Sequence, residues 1–274
     1  MAKRAVNIIP RRGTALILGV VPLVLLLVAY LVGSNARLAQ NPRDKLLPSL
    51  STLAESTVTL ATEPNRRTGQ IVLWSDTVAS LRRILLGVGI AALLALGVGI
   101  GIGLIPFVKA SLTPVVAILS MVPPMSILPV LFIVFGLGET SKIVLIVLGI
   151  GPFLIRELAL RVSELPVEQI VKAQTLGANT WLLITRVVAP QAIPRLLEGI
   201  RLALGPAWLF LIAAEAIAAT EGLGYRIFLV RRYLAMDVIL PYVAWITLLA
   251  FAADQLLQFS IRRLFPWYVS QQRG

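Results

Sequence analysis

Apolar runs of membrane-spanning length dominate this chain, and they decide its architecture before any motif is considered. Residues 14–33, 84–107, 112–135, 141–162, 197–220 and 238–260 each approach the ~20 residues with which an α-helix crosses the hydrocarbon core. Hydrophobic residues make up 58% of the 274 positions and charged residues 14%, against roughly 25% charged in a soluble domain. The runs are continuously apolar, whereas barrel strands alternate apolar and polar residues. The expected fold class is therefore all-α: a polytopic membrane protein with about six transmembrane helices.

Charge and missing residue types narrow the function. The formal net charge is +12. In a membrane chain Lys and Arg anchor loops and set topology, so nucleic acid is not an expected partner and the lipid membrane is. The chain has no Cys and no His. This removes thiolate metal sites, disulfides and the commonest general base, leaving no expected catalytic, cofactor-binding or metal site.

Taken in order, residues 1–13 form a basic segment, residues 14–33 a retained first span, and residues 34–80 an external segment with a short helix near 49–61. Residues 81–263 form a five-span core, and residues 264–274 a cytoplasmic C-terminus anchored by Trp267 and Tyr268. The second span is crowded with Gly87, Gly89, Gly97, Gly99, Gly101 and Gly103, small residues that let helices approach closely in lipid. Lys109 marks the turn that follows. The third span is interrupted at Pro123, Pro124 and Met125 and again at Pro129. Broken backbone at membrane depth needs protein or a water-filled path around it, so this break either kinks a packed helix or lines a pathway. Glu157, four residues before Arg161, forms a helical ion pair or a solute contact. Glu215 sits among Ala213, Ala214 and Ala216 in the fifth span. It is a pathway group or the partner of an arginine such as Arg201 or Arg226.

Residues 164–194 are the longest polar interruption in the second half of the chain. Ile170, Ala173, Gly177, Trp181 and Ile184 recur at helical spacing within it. An amphipathic element between spans, broken by a glycine and closed by prolines, suits docking onto a partner outside the bilayer. Residues 136–142, GLGETSK, resemble a phosphate loop, but that loop needs a glycine before its lysine and a hydroxyl after it. Here Ser141 precedes Lys142 and Ile143 follows. The plain reading is a turn that opens the fourth span with Glu139.

The docking stretch resembles the cytoplasmic loop of permease subunits of bacterial binding-protein-dependent ABC importers, whose pattern is E-A-A-x-x-x-G, nine residues, then I-x-L-P. Ala173 and Gly177 match, and Val187, Ala189 and Pro190 stand at the isoleucine, leucine and proline positions. Val171 and Lys172 replace the glutamate and first alanine, so the spacing and the Gly–Pro frame carry the match. GLGETSK, Pro123-Pro124 and AAEAIAATEGLG at residues 213–224 look like the nitrate, sulfonate and taurine branch. The resemblance implies a type I importer bundle in the bacterial inner membrane with both termini cytoplasmic and a coupling loop at residues 163–194. It also implies a second permease copy (a homodimer), two cytoplasmic ATPases that hold ATP and Mg, and an extracytoplasmic solute-binding protein. It implies alternating access for a small polar solute, an anion of the nitrate or sulfonate kind. A guanidine- or urea-like cation is the alternative, and a secondary transporter or channel is the rival class.

Overall fold

The computed structural model describes residues 12–42, 44–65 and 69–271. Lys3, Arg4 and Arg11 of the basic start, and Arg66 and Arg67 of the expected external segment, lie outside the described residues. The chain divides into two compact units. One runs to Thr59 and takes in Val230–Pro241, and the other is built from Leu60–Leu229 and the chain from Tyr242 onward.

In the first unit, helix α1 (Arg12–Gln40) is a long apolar rod whose side chains, Leu16 to Val28 among them, lie uncovered as a lipid-facing span requires. The chain after it folds back on its last turns. Tyr30 Oη donates to the Pro48 carbonyl at 2.6 Å, Ser34 Oγ to the Leu47 carbonyl at 2.9 Å, and Arg37 pairs with Asp44. The expected short helix is α2 (Leu50–Thr62).

In the second unit, α3 (Val72–Leu94) passes through a π-helical turn, Ala95–Gly99, into α4 (Ile100–Leu104). The widened turn falls in the glycine-rich run, with Gly97 and Gly99 inside it. The following turn lies at Ile105–Pro106, not at Lys109. Proline, which has no N–H to leave unbonded, opens α5 (Pro106–Met121), and Lys109 sits in its first turn. Pro123 and Pro124 open α6 (Pro124–Phe135), bent by 97° from α5. Pro129 lies inside α6 without interrupting it.

Helix α7 (Glu139–Ser163) threads the middle of this unit, with Leu145, Ile146, Ile150, Leu154 and Leu158 at most 1% exposed. Glycines admit its neighbours. A methyl group on Gly87 would sit 2.7 Å from Ile146, and one on Gly103 2.6 Å from Val162. The Gly97–Gly101 pair does not serve this packing: Gly97 faces open space and Gly101 meets only Val108.

After α7 come α8 (Val167–Thr175), α9 (Thr180–Leu183), a π-helical turn at Ile184–Val188 and α10 (Ala189–Ala218). The prolines that close residues 164–194, Pro190 and Pro194, do not end a helix: helical structure runs unbroken over Thr180–Ala218. Pro190 would clash with the carbonyl one turn earlier, and the π-helical turn just before it supplies the room. Then follow α11 (Leu223–Arg231), α12 (Met236–Leu264) and α13 (Pro266–Gln271). Among the described residues five helices are long and apolar enough to span a membrane, and the bent α5–α6 pair makes a sixth if it counts as one span.

Candidate functional site

The docking stretch owes its shape to a left-handed glycine. Pro166 precedes α8, Glu168 lies in its first turn and Lys172 in its last, each charge favoured by the helix dipole at its end. Gly177 then adopts φ +84°. Its N–H donates to the Gln174 carbonyl at 2.9 Å, and the Ala178 N–H reaches back to the Ala173 carbonyl at 3.0 Å. This pair of bonds is the Schellman closure, which needs a residue tolerant of positive φ. Two residues on, Asn179 Oδ1 accepts the Leu182 N–H at 2.8 Å and starts α9.

The corner is pinned from behind by Gln191, whose Nε2 donates to Gln169 Oε1 at 3.1 Å and to the Val187 carbonyl at 2.8 Å. Outward it presents exposed Val167, Val171, Leu176 and Trp181, the last two 80% and 72% exposed. Of the expected coupling residues, Ala173 and Gly177 meet at this corner. Val187, Ala189 and Pro190 lie where the stretch runs into α10. The expected single apolar face is split, because Gly177 ends α8 and the face restarts in a new direction with Trp181.

Beside the docking stretch, α4, α5 and α7 enclose a cleft of about 690 Å³ that includes Arg156 and Glu157. Glu157 Oε1 accepts from Arg161 Nε at 2.9 Å, so the expected helical ion pair is present. Pro123, Pro124 and Met125 form the bend between α5 and α6, where Pro123 and Met125 are exposed.

At the other end of α3 and α7 lies a buried ion network that the sequence reading did not assemble. Glu215 is fully buried and pairs with Arg83, not with Arg201 or Arg226. Its carboxylate accepts from Arg83 Nη1 at 2.7 Å, from Ser80 Oγ at 2.7 Å and from the Gly224 N–H at 2.8 Å. Arg83 Nε and Nη2 fork onto Glu139 at 2.6 and 2.8 Å. Arg201 instead pairs with Asp254 at 2.7 Å. Arg226 pairs with buried Asp76 at 2.8 Å, and Tyr242 Oη donates to the same carboxylate at 2.9 Å. Gly222, at φ +124°, passes so close that a methyl there would lie 2.6 Å from Glu215 and 2.7 Å from Arg83. One signal for this network was legible. Asp76, Ser80 and Arg83 stand at i, i+4 and i+7, a polar stripe on a helix that turns apolar one residue later.

A bundle of candidate membrane-spanning helices, with a polar glycine corner at one end of α7 and a buried ion network at the other, has the architecture of a membrane permease subunit. The chain belongs to the family described as binding-protein-dependent transport system inner membrane component, which matches residues 87–267. It is 42% identical over 197 residues to the taurine transport system permease protein TauC of Escherichia coli (strain K12), covering 72% of this chain and 71% of that protein. It is 33% identical to the putative aliphatic sulfonates transport permease protein SsuC of the same organism, over 71% of this chain and 74% of that one. With the nitrate import permease protein NrtB of Synechococcus elongatus it shares 32% identity over 54% of this chain and 53% of that protein. These relatives represent the nitrate, sulfonate and taurine branch that the sequence resembles. Among solved structures, an inward-facing form of the MetNI methionine ABC transporter aligns with a TM-score of 0.56 at 20% identity, over 68% of this chain and 94% of that chain. That likeness concerns the fold, and it agrees with the expected type I importer bundle.

Proposed function

We propose that this chain forms the alternating-access pathway of an ATP-driven importer for a small polar solute that carries an oxyanion group, of the taurine, sulfonate or nitrate kind. The carrying observation is the Gly177 corner, with Val167, Val171, Leu176 and Trp181 exposed on a rigidly closed turn. Residues 163–194 dock in a cytoplasmic ATPase that holds ATP and Mg, which puts residues 1–13 and 264–274 on the cytoplasmic side and residues 34–80 outside. A second copy of the chain completes the pathway, and an extracytoplasmic binding protein delivers solute. Pro123, Pro124, Met125 and Glu157 fall on the pathway side in this reading. Glu215 does not, because its charge is already matched by Arg83, and this favours an anionic over a cationic solute.

The test is co-purification and uptake. The chain co-expressed with its ATPase should elute with it in mild detergent, and Gly177→Val should reduce solute-stimulated ATP hydrolysis and uptake while membrane insertion persists. A non-glycine residue in the left-handed region costs ~1–2 kcal/mol, enough to open the corner. Unchanged uptake by that variant sinks the docking assignment.

A further inference from the structure

The cleft between α5 and α7 holds charge that the protein itself leaves unmatched. Arg156 lies on an exposed face of α7 with Phe153 and Leu160. A guanidinium on a spanning helix does not face lipid; it faces water or protein. Its Nη1 donates at 2.8 Å to Ser120 Oγ of α5, a neutral hydroxyl. Elsewhere in the second unit Arg83, Arg161, Arg195, Arg201 and Arg226 meet carboxylates. Of the arginines there that make no ion pair among the described residues (Arg82, Arg156, Arg186, Arg262 and Arg263), it is Arg156 that lines this cleft. Glu157, next to Arg156 and in the same cleft, is turned to Arg161. Among the described residues Arg156 therefore has no carboxylate partner, and neither has Lys109, which lines the same cleft.

We propose that this cleft is an oxyanion subsite within the permease, with Arg156 as the anchoring cation and Lys109 as the second. The proposal rests on the transport reading above and deepens it, since it puts solute selection in this chain as well as in a binding protein. Ser120 is a positioning residue. Its proton goes to the Ala117 carbonyl at 2.8 Å, which leaves a lone pair to receive Arg156 and aim the guanidinium. The remaining N–H groups of that planar fork suit two oxygens of one sulfonate- or nitrate-like group. The ligand is a small monoanion. A cation would meet Arg156 and Lys109 with no free carboxylate, and the single guanidinium fork anchors one oxyanion group.

The experiment uses the full chain in lipid nanodiscs without binding protein, and radiolabelled methanesulfonate as probe. Saturable binding is expected, competed by unlabelled methanesulfonate and not by neutral dimethyl sulfone or by methylammonium. Arg156→Gln should weaken it at least tenfold, Lys109→Gln and Ser120→Ala by several-fold, and Arg156→Lys should keep part of it. Because Arg156 is exposed, the variants should match the wild-type elution profile and thermal unfolding. Absence of saturable binding up to about 10 mM, or binding indifferent to Arg156→Gln, overturns the subsite. ATP-dependent uptake by the complex with its ATPase is measured in parallel. Uptake without binding to the permease leaves the transport reading standing and removes the subsite. Binding without ATP-dependent uptake does the reverse.

Discussion

Removing Arg83 should damage the protein far more than altering Glu215, although the two form one ion pair. Arg83 has a side chain 2% exposed and Glu215 one that is 0% exposed, with their atoms 2.7 Å apart. In Arg83→Met the Glu215 carboxylate stays buried with only the Ser80 hydroxyl and the Gly224 N–H for support. Breaking a buried pair in this way costs ~3–5 kcal/mol. In Glu215→Gln, Arg83 keeps its fork on Glu139 and its bond to the Glu221 carbonyl at 2.9 Å. The new amide loses one charge-assisted bond and turns a donor toward Ser80 or Gly224, an unmet polar contact worth ~1–3 kcal/mol. Glu139 is 38% exposed, and solvent screening holds its own share below ~1 kcal/mol. The double variant Arg83→Met, Glu215→Leu removes both charges, and apolar replacement of a buried pair is often near neutral. It should therefore be more stable than Arg83→Met alone. Thermal unfolding in detergent reads these differences at roughly 2–4 °C per kcal/mol for a chain of this size. A loss below ~1 kcal/mol in Arg83→Met, or a double variant whose losses merely add, would refute the claim that Arg83 compensates the buried charge of Glu215.

Two further outcomes follow from local geometry. A methyl on Gly149 would sit 2.3 Å from the Phe210 ring, so Gly149→Ala should lower stability by ~1–3 kcal/mol through overpacking, and Phe210→Leu in the same chain should recover part of that in thermal unfolding. The Arg37 guanidinium, and then the Leu46 N–H, hold the Asp44 carboxyl below the ordinary carboxylate range. A depressed folded pKa gives stability that is present above the unfolded value of ~3.9 and lost as pH falls through the folded value. The turn at Asp44–Leu46 should thus hold at neutral pH and open under acid, seen as a shift of the Leu46 amide resonance, and Arg37→Met should move that shift to higher pH.

The spans and the Gly177 corner were legible in the sequence for physical reasons that also mark where reading stopped. Apolar length identified every long helix, because lipid forces it to be continuous. The helix at residues 49–61 and the ion pair of Glu157 with Arg161 are local features, and local spacing gave them. Gly177 was legible as a breaker, and its left-handed backbone is what makes it one. Prolines misled, since Pro190 follows a π-helical turn that gives it room and Pro194 lies inside α10, which no one-residue rule anticipates. The pairing of Glu215 was not legible at all. Arg83 lies 132 residues away, and which of several arginines reaches a buried carboxylate depends on the packing of three helices. The charge left on Arg156 was equally hidden, since it is known only once Glu157 is seen to face Arg161.

The long helix over Thr180–Ala218 joins the two ends of the permease. It carries Trp181 at the docking corner and Glu215 in the ion network, so a push on one end must either move the other or bend the helix between. The weak point is Gly205–Pro206, where proline removes the N–H that would bond one turn back. The Arg83–Glu215 pair ties the far end to α3, and under the proposed coupling to an ATPase a rigid helix would carry α3 with it as one body. Because the chain has no native Cys, spin labels can be placed by single substitutions at exposed Arg186 and Ile217. These positions are 31 residues apart at 1.5 Å per residue, about 46 Å along the axis. Pulsed electron resonance on the complex should give the same distance with and without ATP if the helix moves as a lever. A shift greater than about 5 Å, the size of a one-turn slip, would locate the motion inside the helix at Gly205–Pro206 and overturn the rigid coupling between docking corner and ion network.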